Sequence, residues 1–355
     1  MIDTHRVWQK ARPSGLLLFA ALGLVLGGCG TLPQVEALLA TRATLQPRAE
    51  LTAVPFFPQD DYQCGPAALA MALKTSGVDV APEALVEQVY LPKRQGSLQV
   101  ELLAAARRHG RIAYQIAPSL PDVLKEVAAG NPVVVLHNTG IRPMPFWHYA
   151  VVVGYDIAKD EIIMRSGDKP RQRMPFTAFD FFWRDGKYWA MVTMSPERLP
   201  ATAAEGPYGA AVAAIERLGQ TNAAATAYAA MLQRWPDSYV ALMGAGNANY
   251  TLGKLAQAEE AFRRATLAQP NDPAAFNNLA QTLADQKKWR EALGPATQAV
   301  ALGGPMLAAA QATLQAIEAN IAVLPAPTFA DKPAVAVPEK RKRGSRNRSS
   351  TPSAK

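Results

Sequence analysis

The chemistry of this chain starts at Cys64. It stands in the run Gln59-Asp60-Asp61-Tyr62-Gln63-Cys64-Gly65-Pro66-Ala67-Ala68-Leu69, directly ahead of a segment with helical apolar spacing. Pro66 suits a first helical turn, where a missing N–H costs nothing. A cysteine that opens a helix has its thiolate stabilised by the helix dipole and free N–H groups, which can lower its pKa from about 8.5. Gly65 would let a substrate backbone come close. Nucleophilic attack by a thiol also needs a base. Of the four histidines, His5 lies in the N-terminal leader and His109 near the polar end of a helix. His137 and His148 stand at the end of one strand-like run and the start of the next. His148 is preferred, because Tyr149-Ala150-Val151-Val152-Val153-Gly154-Tyr155 after it reads as a buried strand, rigid enough to aim an imidazole.

These residues resemble a known pattern. Gln59, then Cys64-Gly65-Pro66-Ala67-Ala68-Leu69, later Pro132-Val133-Val134-Val135 and His148-Tyr149-Ala150-Val151-Val152-Val153-Gly154-Tyr155, resemble the bacteriocin-processing peptidases, papain-like cysteine peptidases that cut after double-glycine leaders. The resemblance runs from about 54 to 195. It implies Cys64 as nucleophile, His148 as general base and acid, and Gln59 as oxyanion donor beside the Cys64 backbone N–H. Gln59 precedes the cysteine by five residues where family members often have six, so Gln63 is the alternative donor. The family's orienting acid or amide after the histidine strand falls in Ile162-Ile163-Met164-Arg165-Ser166-Gly167-Asp168-Lys169-Pro170. Direct alignment puts Ser166 there, and a two-residue shift brings in Asp168. Asp168 is preferred, since serine stabilises imidazolium poorly.

Cys29, the other cysteine, ends Leu26-Gly27-Gly28-Cys29 after the apolar run 15–26, behind a basic start with Arg6, Lys10 and Arg12. Twelve apolar residues are too few to span a bilayer, which takes about 20. They suit a signal-peptide core instead. The motif resembles the lipobox of bacterial lipoproteins, which implies acylation of Cys29. Gly30, in place of Asp, implies an outer-membrane anchor facing the periplasm. Cys64 is then a lone thiol in an oxidising compartment, where a chemical role is the best reason to keep one.

Of the formal charge of +8, residues 1–28 carry +2 and residues 331–355 carry +6, leaving the body between near neutral. The basic balance belongs to the ends, and nucleic-acid binding is not supported. The tail 324–355 is rich in Pro, Ala, Ser and basic residues and reads as disordered, with the run 340–343 read first as solvated charge and, as the alternative, as a patch for anionic headgroups or cell-wall polymers. One free cysteine and scattered histidines give no metal-ligand spacing, and no glycine-rich phosphate loop is present, so no cofactor is expected.

Around these residues the elements fall into five stretches: signal peptide 1–28, connector 29–50 with no core of its own, peptidase domain 51–199, repeats and a capping helix 200–323, and the tail. Helices are predicted over 67–75, 82–90, 98–109 and 121–129, then strands over 132–136, 148–155, 161–164 and 188–193, an α+β arrangement. Beyond 200 a period of 34 appears: Tyr228 and Phe262, Gly219 and Gly253, Pro236 and Pro270, and Ala224, Ala258 and Ala292. These positions resemble three tetratricopeptide repeats over 205–304, although Ala296 replaces the third aromatic. Residues 306–323 read as a cap. The fold expected is thus a papain-like domain followed by an all-α solenoid. Asn247, Asn278 and Gln281 mark the face where a protein or peptide partner would bind, and deletion of 205–323 should leave a working peptidase. The function expected is an envelope-anchored cysteine peptidase. The alternatives are a catalytically inactive peptide-binding scaffold, or acyl transfer with the same dyad.

Overall fold

A computed structural model describes residues 32–59, 63–141 and 143–325. The lipobox with Cys29 and the basic run 340–343 lie outside them. The first domain runs α1 (Pro33–Thr41), β1 (Arg48–Glu50), α2 (Cys64–Thr75), α3 (Pro82–Val89), the short hairpin β2 (Tyr90–Leu91) and β3 (Gly96–Ser97), α4 (Gln99–Arg108), β4 (Ile112–Gln115) and α5 (Leu120–Ala128). It continues with β5 (Val133–Asn138), β6 (Trp147–Asp156), β7 (Glu161–Ser166), β8 (Lys169–Pro175), α6 (Phe176–Asp185) and β9 (Ala190–Met194).

An antiparallel sheet in the order β4-β9-β5-β6-β7-β8, with β1 added to the end of β6, forms the middle layer. Successive strand residues face opposite ways, and β6 shows how that divides the core. Tyr149, Val151 and Val153 pack with α2, α3 and α4. Ala150 and Val152 pack on the other side with α5 and α6. A register shift between Val152 and Gly154 then turns Tyr155 to the α5 side. Gly154 is obligatory there, because a Cβ would stand 2.9 Å from the Ala49 carbonyl oxygen of β1.

Helix α2 is covered on nearly all sides: residues from Gly65 to Leu73 are all buried. Its Ala and Gly positions let neighbouring elements approach, while Leu69, Met71 and Leu73 each remove apolar surface worth about 1.5–3 kcal/mol from water. Strand β8 escapes an apolar-run reading because it is an edge strand, KPRQRMP, with charges and prolines that block further pairing. Helix α6, FTAFDFFWRD, buries Phe176, Phe179, Asp180 and Trp183 at i, i+3, i+4 and i+7, a helical spacing that the adjacent Phe181 and Phe182 obscure in sequence.

The expected connector is partly built into this domain. Leu38 of α1 is buried in the core, and β1 pairs with β6 from Arg48↔Asp156 to Glu50↔Gly154. The three strand residues have no partner until β6 exists, which is why local pattern misses them.

Seven further helices follow: α7 (Glu205–Glu216), α8 (Thr221–Arg234), α9 (Tyr239–Thr251), α10 (Leu255–Ala268), α11 (Pro273–Asp285), α12 (Trp289–Leu302) and α13 (Leu307–Ala322). They pair in sequence as α7/α8, α9/α10 and α11/α12, with α13 as the cap. The period-34 aromatics are the packing keys. A Cβ on Gly246 would meet the Phe262 ring at 2.4 Å, and one on Gly244 would meet Tyr228 at 2.2 Å. Where the third repeat has Ala296, that alanine packs in one cluster with Ile317 of the cap.

The boundary at 200 is no hinge. Tyr208, Val212 and Ile215 of α7 share the core of the sheet domain, and Tyr208 packs on Tyr114 of β4 with ring centroids 6.2 Å apart. The buried Glu126 carboxylate accepts hydrogen bonds from the Ala201 and Thr202 N–H groups at 3.2 and 2.7 Å, from the Thr202 hydroxyl at 2.5 Å, and from Asn131 at 2.7 Å. The linker is therefore locked to α5. The expectation that 205–323 can be removed cleanly is corrected by these contacts.

Candidate active site

Cys64 is the first residue of α2, with Gln63 as the N-cap. Burial pushes its thiol pKa up, opposed by hydrogen bonds from the backbone N–H groups of Tyr149, Gly65 and Cys64 itself. Cys64 packs, partly buried, against the core cluster that includes Tyr149 of β6. Burial outweighs the helix terminus, so the resting group is a thiol rather than the thiolate that the helix position suggested.

His148 is the second residue of β6. Its Nε2 lies 2.9 Å from the Ser166 Oγ at the end of β7. The ring also stacks on His137 of β5, with centroids 5.3 Å apart and planes at 20°, because the β5–β6 register sets the two histidines opposite each other. Burial lowers the His148 pKa to about 4, and burial together with the neighbouring His148 lowers His137 to about 3. Both rings are therefore neutral at pH 7. Among the hydrogen bonds of the described residues none joins the Cys64 sulfur to the His148 ring.

Asp168, preferred from sequence, is exposed in the β7–β8 turn, and Ser166 occupies the orienting position instead. Ser166 is buried at the end of β7, whose pairing with β6 is regular through Val152↔Met164 and Val151↔Arg165. Gln59 lies beside these residues, clamped between β6 and that turn. Its Nε2 donates to the Tyr149 carbonyl at 3.4 Å, its Oε1 accepts from Gly167 N–H at 2.9 Å, and its own N–H donates to Gly167 O at 3.1 Å. One amide hydrogen of Gln59 remains for a further acceptor.

Gly65 has a different role from the one expected. It is buried against β3, where a Cβ would stand 2.3 Å from the Ser97 Oγ and 2.6 Å from its Cβ. Ser97 in turn accepts the Tyr149 hydroxyl on its carbonyl at 3.2 Å. The glycine thus lets the hairpin close over the start of α2 instead of admitting substrate. The sequence favours His148 over His137, yet the two stand directly opposite each other, as matching residues 133–138 against 147–152 as a hairpin shows. His109 caps α4 beside Gln88, far along the chain from this site. Among the described residues no group of three or more His, Cys, Asp or Glu side chains could hold a metal.

A cysteine at the head of a buried helix, set against a histidine strand of an antiparallel sheet, defines an α+β domain of the papain-like cysteine-peptidase class. Residues 51–189 match the Peptidase_C39 like family, and residues 208–273 and 246–306 match the tetratricopeptide repeat. The chain thus carries a C39-like peptidase domain followed by tetratricopeptide repeats.

Among solved structures, it is similar to a putative C39-like peptidase from Bacillus anthracis at 19% identity, covering 42% of this chain and 98% of that one, with a TM-score of 0.36. The peptidase domain of Streptococcus ComA, a bifunctional ABC transporter, matches at 23% identity over 40% of this chain and 98% of that one, with a TM-score of 0.33. YrrB, a repeat protein with an unusual peptide-binding site, matches at 21% identity over 33% of this chain and 60% of that one, with a TM-score of 0.31. No curated protein matches the chain.

Proposed function

We propose that the protein is a cysteine peptidase anchored in the bacterial envelope by acylated Cys29, facing the periplasm from the outer membrane. The observation that carries the peptidase reading is Cys64 at the head of α2 packed with Tyr149 of β6, the neighbour of His148, whose ring is hydrogen-bonded to Ser166; the anchor rests on the lipobox resemblance alone. Both groups rest neutral, so His148 acts as general base: it takes the thiol proton as sulfur attacks the substrate carbonyl. The C–N bond then breaks, the proton passes from His148 to the leaving amine, and a thioester remains. Water, deprotonated by His148, releases the acid and restores the thiol. The Cys64 backbone N–H and the free Gln59 amide hydrogen are the oxyanion donors.

The repeats recruit an extended peptide or protein. A cavity of about 190 Å³ lies along α9 and α11, lined by Asn247, Tyr250, Asn277, Asn278 and Gln281 over the Phe262 ring. The Asn277 Oδ1 is buried there without a partner, a position suited to a backbone N–H.

A second reading, a peptide-binding scaffold, is favoured by the raised thiol pKa and by the lack of a direct Cys64–His148 hydrogen bond. Labelling with an iodoacetamide probe separates the two. Catalysis requires fast, saturable labelling of Cys64 that collapses in His148→Ala. Labelling no faster than that of a free peptide thiol establishes the scaffold.

A further inference from the structure

We infer that the end of the domain carrying the β5–β6 loop and helix α6 docks on a phospholipid bilayer surface. The loop presents four large apolar side chains to solvent: Ile141 at 65% exposure, Met144 at 74%, Phe146 at 59% and Trp147 at 48%. Phe181 on α6 adds a fifth at 53%. The described part of the loop is tightly held. Asn138 Oδ1 accepts from the Gly140 and Phe146 N–H groups at 3.0 and 2.8 Å, and Thr139 N–H donates to Phe146 O at 2.9 Å. A Cβ on Gly140 would stand 2.4 Å from the Met144 carbonyl oxygen. The fold thus holds the loop's four apolar side chains in solvent within one seven-residue stretch, and a local apolar surface of this kind marks an interaction site.

The occupant follows from where the chain enters the fold. The buried Asp180 of α6 accepts the Gln34 and Val35 N–H groups of α1 on one oxygen, at 3.0 and 3.2 Å. Five residues separate Cys29 from Gln34, a reach of at most about 17 Å. Five residues further along α6, Asp185 accepts the Asn138 amide at 3.1 Å and so fixes the root of the apolar loop. Asp180 and Asp185 are about 7.5 Å apart along the helix axis. The tether and the loop therefore hang from opposite ends of one short stretch of α6, with Phe181 between them. The Arg184 guanidinium lies 5.5 Å from the Phe181 ring centroid. Aromatic side chains with adjacent basic groups are the composition of a headgroup-depth contact.

An acyl chain on Cys29 would thus press this end of the domain to the membrane, and Trp147, next to His148, would set the site at its surface. The inference rests on the acyl-anchor reading for its partner, and its partitioning measurement needs neither acylation nor turnover.

The chain starting at residue 29, with Cys29→Ser, is sedimented with vesicles of phosphatidylethanolamine and phosphatidylglycerol. It is expected to partition onto them. Met144→Ser with Phe146→Ser should lower the partition coefficient by about tenfold, in line with the apolar area lost. Phe181→Ser should lower it further, and the distal exposed Leu267→Ser should leave it unchanged. Unchanged melting temperatures show that the variants fold. Equal partitioning of all variants, or none by the parent, overturns the inference. So does a rise in KM on a soluble peptide with partitioning unchanged, which makes the loop a substrate subsite. None of these outcomes bears on Cys64 labelling, so the peptidase reading stands or falls separately.

Discussion

The Nε2 of His148 lies 2.9 Å from the Oγ of Ser166, and that hydrogen bond sets the imidazole. A neutral serine holds the ring but cannot neutralise an imidazolium, so under the proposed peptidase reading His148 works without a carboxylate partner. Ser166→Ala removes one hydrogen bond, worth about 1 kcal/mol. Turnover of a peptide substrate should then fall about fivefold to tenfold, while Asp168→Asn should leave it near the parent value. Ser166→Asp should move the acid limb of the pH–rate profile upward, because a carboxylate favours the protonated ring. A larger loss in Asp168→Asn than in Ser166→Ala would return the orienting role to the aspartate.

The stacked His137 and His148 make the domain acid-sensitive. Their folded pKa values, about 3 and about 4, lie below the ordinary 6.5. Between pH 6.5 and those values the unfolded chain binds more protons than the folded one, so stability rises with pH. Each histidine contributes a loss on the order of 3 kcal/mol by about pH 4. The melting temperature should fall steadily from pH 6.5 downward, and His137→Phe should flatten that slope. An identical slope in the variant would remove His137 from the account.

Gly65→Ala forces a methyl group into Ser97 and should destabilise the domain by about 1–3 kcal/mol. Ser97→Gly in the same chain removes the clash and should restore part of the loss, measured by urea denaturation. Loss of labelling at Cys64 with stability unchanged would instead indicate that Gly65 admits substrate.

Deleting 205–323 strips Tyr208, Val212 and Ile215 from the core of the first domain. That truncation should lose near-ultraviolet circular dichroism and aggregate, whereas a chain ending after 236 keeps α7 and α8 and should melt cooperatively. Equal behaviour of the two would make the junction a simple linker.

The proposed peptide recruitment gives Asn278, whose amide donates to Asn247 Oδ1 at 3.1 Å in the repeat groove, a role that can be tested. Asn278→Ala should leave cleavage of a short peptide unchanged while slowing cleavage of the physiological target, seen by comparing periplasmic proteomes. Equal accumulation of every substrate in this variant and in Cys64→Ala would show that the repeats play no selective part.

What the chain alone determines is whatever depends on neighbours in sequence. A cysteine before a proline-started helix, a histidine before a β-branched run and a period of 34 are local patterns, and each is found where it was read. The tertiary structure decided the rest, because those features depend on contacts between residues far apart. Counting offers both Ser166 and Asp168 to His148, and only the packed end of β7, which buries Ser166 and leaves Asp168 exposed, selects the serine. Gly65 answers to Ser97, and β1 has no partner until β6 forms. The charge states of Cys64 and His148 were also beyond sequence: a helix terminus lowers a thiol pKa only while solvent or an ion pair supports the charge, and here burial of both groups outweighs it.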